Sequence, residues 1–264
     1  MKATPRAAFP AVAALMAMIP VTLAWSQSQT SQSNGTQPAD TTQGTAAKPA
    51  QKTVEESYLQ SSLETMIIKE QAQSESRDMK LVALQYARQA IDAGRKNDDI
   101  RNSLEYLALE TSNLVIRSGG TGRVLNDFPD VRAKACDYLA DFPSEDTKNA
   151  LVRVVLSDDE PMVLSAAIRS LGKIGINDND DVTQDIAYIV NRYDVLQPDN
   201  SLAFESLVAF ERLNDKLGGL RDPSAIRAII KIAGGNYISP VKQRAVALLD
   251  KIRKSAAASK GSGG

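Results

Sequence analysis

The feature that most constrains the fold of this chain is a set of three residues, spaced four apart, that recurs along it. In each copy an apolar residue is followed by a small residue and then by a large apolar one. The clear copies are Val131-Ala135-Leu139, Val163-Ala167-Leu171, Leu202-Ser206-Phe210 and Val241-Ala245-Leu249, with a weaker copy at Met79-Ala83-Ala87. Spacing of four places each set on one helix face, and the small middle residue lets a neighbouring helix approach closely.

The copies recur at a period that is typical of helix-pair repeats. Their middle residues fall at positions 83, 135, 167, 206 and 245, so the last three intervals are 32, 39 and 39 residues. Further apolar helical patterns lie between the copies, one before each of them. The sequence therefore predicts an all-α fold, a right-handed α-solenoid of about five antiparallel helix pairs over residues 53–254. The long first interval contains a glycine-rich segment, 118–122, which we expect to be a loop.

Proline, aspartate and glycine mark the predicted helix boundaries. Pro129, Pro161 and Pro240 stand at or near helix starts, and Asp222-Pro223 opens another helix. Three glycines are expected to close helices, namely Gly175, Gly218 and Gly234.

One segment resembles a known repeat signature. Residues 156–175 read LSDDEPMVLSAAIRSLGKIG, and 129–135 and 240–245 are similar to parts of that segment. The pattern of acidic turn, proline, paired alanines and Leu-Gly-x-Ile-Gly resembles the HEAT-repeat family. The copy at 200–217 departs from it, since it lacks the proline and has Ser206 in place of alanine. The resemblance implies a solenoid whose second helices line a concave groove that usually binds protein, although a minority of HEAT-like proteins are lyases or lyase subunits.

The two ends of the chain differ from the repeats. Residues 1–26 have a basic start, an apolar stretch and small residues before Gln27, which predicts a cleaved signal peptide. Ser26 stands where a lipoprotein signal would need cysteine. Residues 27–52 and 255–264 are rich in small and polar residues, so we expect a disordered linker and a disordered tail. The sequence thus predicts a periplasmic or secreted protein with no transmembrane segment after signal cleavage.

Composition excludes several kinds of site. The chain has no histidine, which removes histidine-based catalysis and metal binding. The formal charge is −1, and it becomes −3 once Lys2 and Arg6 are removed, so nothing favours nucleic acid as a partner. The only cysteine, Cys136, is expected to be buried, with a free thiol or an interchain disulfide as alternatives. We expect no cofactor and no metal.

Three motifs are interpreted as structural rather than chemical. The glycine-rich segment 119–123 lacks the strand and the Lys-Ser or Lys-Thr ending of a phosphate loop. The acidic turn 177–181 lacks the glycine and the glutamate of a calcium loop. The acidic cluster 158–160 precedes a helix, where negative charge is favourable. All three are expected to be solvated turns or loops.

The function predicted from the sequence is a non-enzymatic protein-binding scaffold or adaptor. The residues immediately after each leading apolar position should flank the groove, and with Arg244 they form the predicted partner-binding set: Lys80, Arg132, Leu164, Ala203, Lys242 and Arg244. Because four of these six are basic, the sequence predicts a mildly basic strip that meets an acidic partner. A HEAT-like lyase or enzyme subunit is one alternative, and a structural component of an envelope or motility assembly is another.

Overall fold

The computed structural model describes residues 53–113, 115–122, 124–196 and 198–261 of the 264-residue chain. Over these residues the regular structure is helical. The helices are α1 Val54–Gln73, α2 Arg77–Asp92, α3 Asp98–Ala108, α4 Glu110–Asn113, α5 Pro129–Leu139, α6 Glu145–Ser157, α7 Pro161–Ile174, α8 Asp181–Tyr193, α9 Asn200–Leu217, α10 Pro223–Gly234 and α11 Ser239–Gly261. The predicted signal peptide 1–26 and linker 27–52 lie outside the described residues.

The long helices pack in two parallel rows. The first row runs α1, α3, α6, α8, α10 and the second runs α2, α5, α7, α9, α11, with each helix contacting the next in its row. Each first-row helix also contacts its second-row partner, so the rows form five helix pairs. The all-helical prediction is confirmed, and this packing is that of a helical solenoid. Its right-handed twist stays a prediction.

The small middle residues lie in the core between packed helices. Ala83, Ala135, Ala167, Ser206 and Ala245 are completely buried, which confirms the helical phase taken from the sequence. Ser206 satisfies its hydroxyl by donating to the carbonyl oxygen of Leu202 at 2.8 Å. Two helices approach closely at Gly172 in α7, where an added Cβ would lie 2.7 Å from the Cα of Ala209 in α9. Small residues thus set the spacing of the second row.

Most of the predicted caps are present. Pro129, Pro161 and Pro223 each occupy the first turn of a helix, and Asp222 accepts hydrogen bonds from the backbone N–H groups of Ser224 and Ala225. Gly175 and Gly218 end α7 and α9 in the left-handed conformation. Gly234 is the last residue of α10 and its φ is not positive, so it does not end the helix in the left-handed conformation. The residue that caps the C-terminus of α10 is Gly235, which is extended.

The C-terminal boundary differs from the prediction. Helix α11 continues to Gly261, whereas the sequence predicted a disordered tail from residue 255. The segment 256–258 is alanine, which favours helix once a packed helix precedes it. Ser255 also donates its hydroxyl hydrogen to the carbonyl oxygen of Lys251, within the same helix. The loop before α5 is confirmed, and it is closed by a single antiparallel bridge between Arg117 and Val124.

Candidate interaction surface

Charged side chains link successive helices of the second row. Arg169 in α7 lies 3.2 Å from Asp137 in α5 and 3.6 Å from Glu205 in α9, measured between nitrogen and carboxylate oxygen. Glu211 in α9 binds Arg244 in α11 at 2.7 Å. We call the surface around these five residues the second-helix face. The charges of these five residues alternate in sign from helix to helix. Ion pairs therefore connect each helix to the next, and positive and negative residues are mixed along the face.

An aromatic side chain is exposed on this face beside a fixed arginine. The guanidinium of Arg244 lies 4.9 Å from the ring centroid of Phe204, and Phe204 is 38% exposed. Glu211 and the Phe204 ring both contact Arg244, so its guanidinium is held in one orientation. Arg88 and Tyr138 form a similar pair at 5.5 Å towards the other end of the row.

Burial changes the electrostatics of one carboxylate on the face. The pKa of Asp137 is raised because the carboxyl is partly withdrawn from water, and the nearby charges of Arg169 and Lys173 act against that increase. Asp137 therefore helps to hold α5 against α7 through its ion pair with Arg169. Its chemistry is that of an ion-paired structural carboxylate.

Four of the six predicted partner-binding residues are buried, which corrects the expectation that they flank a surface groove. Lys80, Arg132, Leu164 and Ala203 are each at most 3% exposed. The physical reason is the helical rotation of about 100° per residue. One residue after the leading apolar position, the side chain turns towards the next helix pair rather than towards solvent.

These buried positions form the joints between successive pairs. Lys80 binds Glu110 at 2.9 Å, and Glu110 directly follows the first helix of the next pair. Arg132 binds Asp158 at 2.7 Å, and Asp158 follows the first helix of the pair after that. Leu164 and Ala203 are the apolar equivalents of the two cations. The sequence period therefore identified a set of equivalent residues, but their role is to connect the repeats.

The last two predicted residues lie on different sides of α11. Arg244 is half-buried and faces α9 through Glu211, whereas Lys242 stands two residues earlier and so about 200° around the helix. The prediction of a basic strip along the groove is therefore wrong. Three of its cations are each paired with a carboxylate, namely Lys80, Arg132 and Arg244. Phe204 is not among the residues predicted from the sequence to bind a partner. It could have been found, because it is an aromatic residue that lies outside the buried stripe of α9.

The acidic turns are more structured than the sequence indicated. Asp158 is 5% exposed and accepts a hydrogen bond from the backbone N–H of Glu160 as well as from Arg132, which corrects the prediction that this residue is solvated. Its neighbours Asp159 and Glu160 are exposed, as predicted. Asp181, the first residue of α8, pairs with Lys148 at 2.8 Å, and Asp180 in the preceding turn accepts a hydrogen bond from the side-chain amide of Asn177. Within the described ranges, no three Cys, Asp or Glu side chains are grouped to hold a metal ion.

Two further expectations can be compared with the fold. Cys136 is confirmed as buried, and burial raises the pKa of its thiol far above the ordinary value. No helix among the residues that the structure describes combines the length and apolar character needed to cross a bilayer.

Comparison with known proteins bears on the fold. A family model described as HEAT repeats matches residues 123–192, which span α5 to most of α8. Neither a curated protein nor a solved structure shows significant similarity to the chain. The matched segment contains the 156–175 signature and one complete helix pair, α6 and α7, together with α5 and most of α8 from the two neighbouring pairs. Residues 123–192 of this chain therefore match the HEAT-repeat family.

Proposed function

We propose that this chain is a non-enzymatic scaffold and that a protein partner docks on its second-helix face around Phe204 and Arg244. HEAT repeats generally mediate contacts between proteins, and the stack offers a long outer surface rather than an enclosed cavity. The observation that carries the proposal is the exposed Phe204 ring with Arg244 held beside it at 4.9 Å.

The arrangement has the physical properties of an interface centre. Aromatic and arginine side chains supply most of the binding free energy in protein interfaces, especially where they are fixed before binding. Arg244 is fixed by Glu211, and Lys251 on α11 binds the same carboxylate at 3.0 Å. The partner is expected to place an apolar side chain against Phe204. An acidic partner is not part of the proposal, because the cations of this face are already paired.

The proposed location is outside the cytoplasm. We infer it from the signal-peptide pattern of residues 1–26, which predicts a mature chain that begins near Gln27. N-terminal sequencing of the protein isolated from the producing cell tests this inference. A chain that retains Met1 would contradict it.

The binding proposal is tested by capture with matched variants. The mature protein is used to capture partners from an envelope extract, which are identified by mass spectrometry, and the capture is repeated with Phe204→Ala and Tyr188→Ala. Tyr188 is a suitable control because it is an aromatic residue of the first row, on α8, and is 55% exposed.

We expect Phe204→Ala to weaken capture by about tenfold or more, which corresponds to about 1.4 kcal/mol. Tyr188→Ala should leave capture unchanged, and both variants should keep the parent's melting temperature within about two degrees. Loss of the partner with Tyr188→Ala and its retention with Phe204→Ala would place binding on the first row and refute the proposal.

A further inference from the structure

The N-terminal end of the stack exposes an apolar helix face. Helix α1 packs on α2 and α3, and its opposite side carries Leu59, Leu63, Met66 and Ile67 at helical spacing. Met79 and Tyr86 extend this surface onto α2. These six residues, which are 37–59% exposed, are called the N-terminal end face. Repeat stacks normally end in a polar outer surface, whereas this end is apolar and no part of the chain that the structure describes covers it.

The C-terminal end is also apolar. Ile230 on α10 and Val246 on α11 are 54% and 51% exposed, and Ile226 and Leu249 beside them are half-buried. These four residues are called the C-terminal end face. They lie where a sixth helix pair would pack if the stack continued. Both ends of the stack therefore expose the kind of surface that each repeat buries against its neighbour.

The two end faces are flanked by opposite charges. Glu56 and Glu70 lie seven residues before and after Leu63, so they share its side of α1. The C-terminal end face is flanked by Arg227 on α10 and by Lys242 and Arg253 on α11. Asp250, one turn from Val246, leaves that end with a net positive charge. The N-terminal end is thus acidic around its apolar centre and the C-terminal end is basic.

We propose that the two end faces bind each other between copies of this chain. The C-terminal end face of one copy docks on the N-terminal end face of the next, and α1 and α2 of the second copy continue the two rows after α10 and α11. Such a contact is head-to-tail, so it produces rings or open chains of molecules rather than a symmetric pair. This inference uses surfaces separate from the second-helix face and does not depend on the proposed scaffold function.

The charges around the end faces favour a head-to-tail contact over a symmetric contact between two identical end faces. Two N-terminal end faces in contact would bring Glu56 and Glu70 of each copy against the same residues of the other. Two C-terminal end faces would oppose Arg227, Lys242 and Arg253 to themselves. Like charges across an interface are unfavourable, whereas the head-to-tail contact pairs acidic with basic residues around an apolar centre.

The test uses two variants that each block one face. Met66→Lys blocks the N-terminal end face, and Ile230→Glu blocks the C-terminal end face. Both positions are more than half exposed, so both variants should fold. Masses are measured by sedimentation of the protein purified from the producing cell, over a range of concentrations. Met162→Lys, at a residue 51% exposed on α7, is the matched control.

The parent and Met162→Lys should form species larger than a dimer as concentration rises. Each blocked variant alone should be a monomer, and an equimolar mixture of the two should form a one-to-one dimer through the faces left intact. A parent that is monomeric at every concentration would overturn the proposal. So would a blocked variant that still pairs with itself, because that result requires a symmetric contact.

A charge exchange tests the polar part of the contact separately. Glu70→Lys should weaken association about tenfold at low salt, and Arg253→Glu in the second copy should restore part of it. If Glu70→Lys strengthens association, the charge argument is wrong and the proposal fails with it.

Discussion

Arg132 in α5 and Asp158 after α6 form a buried ion pair, in which Arg132 Nε donates to Asp158 Oδ2 at 2.7 Å. Both side chains are only 3% exposed. Removal of Asp158 leaves the buried Arg132 with only the more exposed Asp127 as a partner, at 2.7 Å. The cost should therefore lie at the lower end of the range of about 3–5 kcal/mol that a broken buried pair costs. We therefore predict that Asp158→Ala lowers the free energy of unfolding by about 3 kcal/mol, measured by urea denaturation.

The same pair separates two interpretations of Arg132. Arg132→Glu should destabilise the fold strongly, because it places two buried carboxylates together, while Lys242→Glu should change the free energy of unfolding by less than about 0.5 kcal/mol. If Arg132→Glu unfolds at the same urea concentration as the parent, Arg132 is a surface residue and the joint between the repeats is misassigned.

Gly172 in α7 lies directly against the backbone of Ala209 in α9, and this predicts an unusual sensitivity to one methyl group. A Cβ at position 172 would lie 2.7 Å from the backbone of Ala209. Gly172→Ala should therefore destabilise the protein by about 1–3 kcal/mol through overpacking.

Gly234 in α10 is the matched control, since nothing lies within 4 Å of an added Cβ there and its φ is not positive. Gly234→Ala should be neutral or stabilise by up to about 1 kcal/mol. Thermal melts of both variants check the comparison. Equal melting temperatures would mean that α7 and α9 are further apart than described.

The helical fold was predictable because its signals are local. Small residues at a spacing of 32 to 39 and prolines at helix starts determine the phase of each helix without knowledge of distant contacts. Leu164 and Ala203 show the limit of that reasoning. Their positions relative to Val163 and Leu202 were read correctly, but whether they face solvent or the next repeat depends on the direction in which the pairs stack.

The candidate site was largely unpredictable for a related reason. Arg244 pairs with Glu211, which lies 33 residues earlier in the sequence, and Arg169 pairs with Glu205, which lies 36 residues later. Charge pairing across helices is invisible to a periodic pattern within one helix. A basic strip was therefore inferred where the fold has balanced pairs. Only Phe204, an aromatic residue outside the buried stripe, carried a local signal.

The N-cap of α10 predicts a dependence of stability on pH. Burial tends to raise the pKa of Asp222, but hydrogen bonds donated by Ser224 and Ala225 outweigh this and leave the pKa below its usual value. A carboxyl with a lowered pKa stabilises the fold above its unfolded value of about 3.9, and that contribution is lost as the pH falls through the folded value.

Asp222→Asn keeps a capping oxygen but removes the charge, so it should cost about 1 kcal/mol at pH 7. The difference from the parent should shrink as the pH is lowered below 4, when Asp222 itself becomes protonated. Urea denaturation at several pH values from 7 to 3 measures this. A difference that stays constant over that range would show that the carboxylate does not contribute through its charge.

Photo-crosslinking within the producing cell locates the bound partner. A p-benzoylphenylalanine side chain is introduced as Phe204→p-benzoylphenylalanine and, in a separate strain, as Tyr188→p-benzoylphenylalanine. Both parent residues are exposed aromatics, on the second and first rows respectively. If the second-helix face binds a protein, irradiation should produce one discrete crosslinked species from position 204 and none from position 188. A crosslink that forms from position 188 alone, or from neither position, would contradict the assignment of that face as the binding surface.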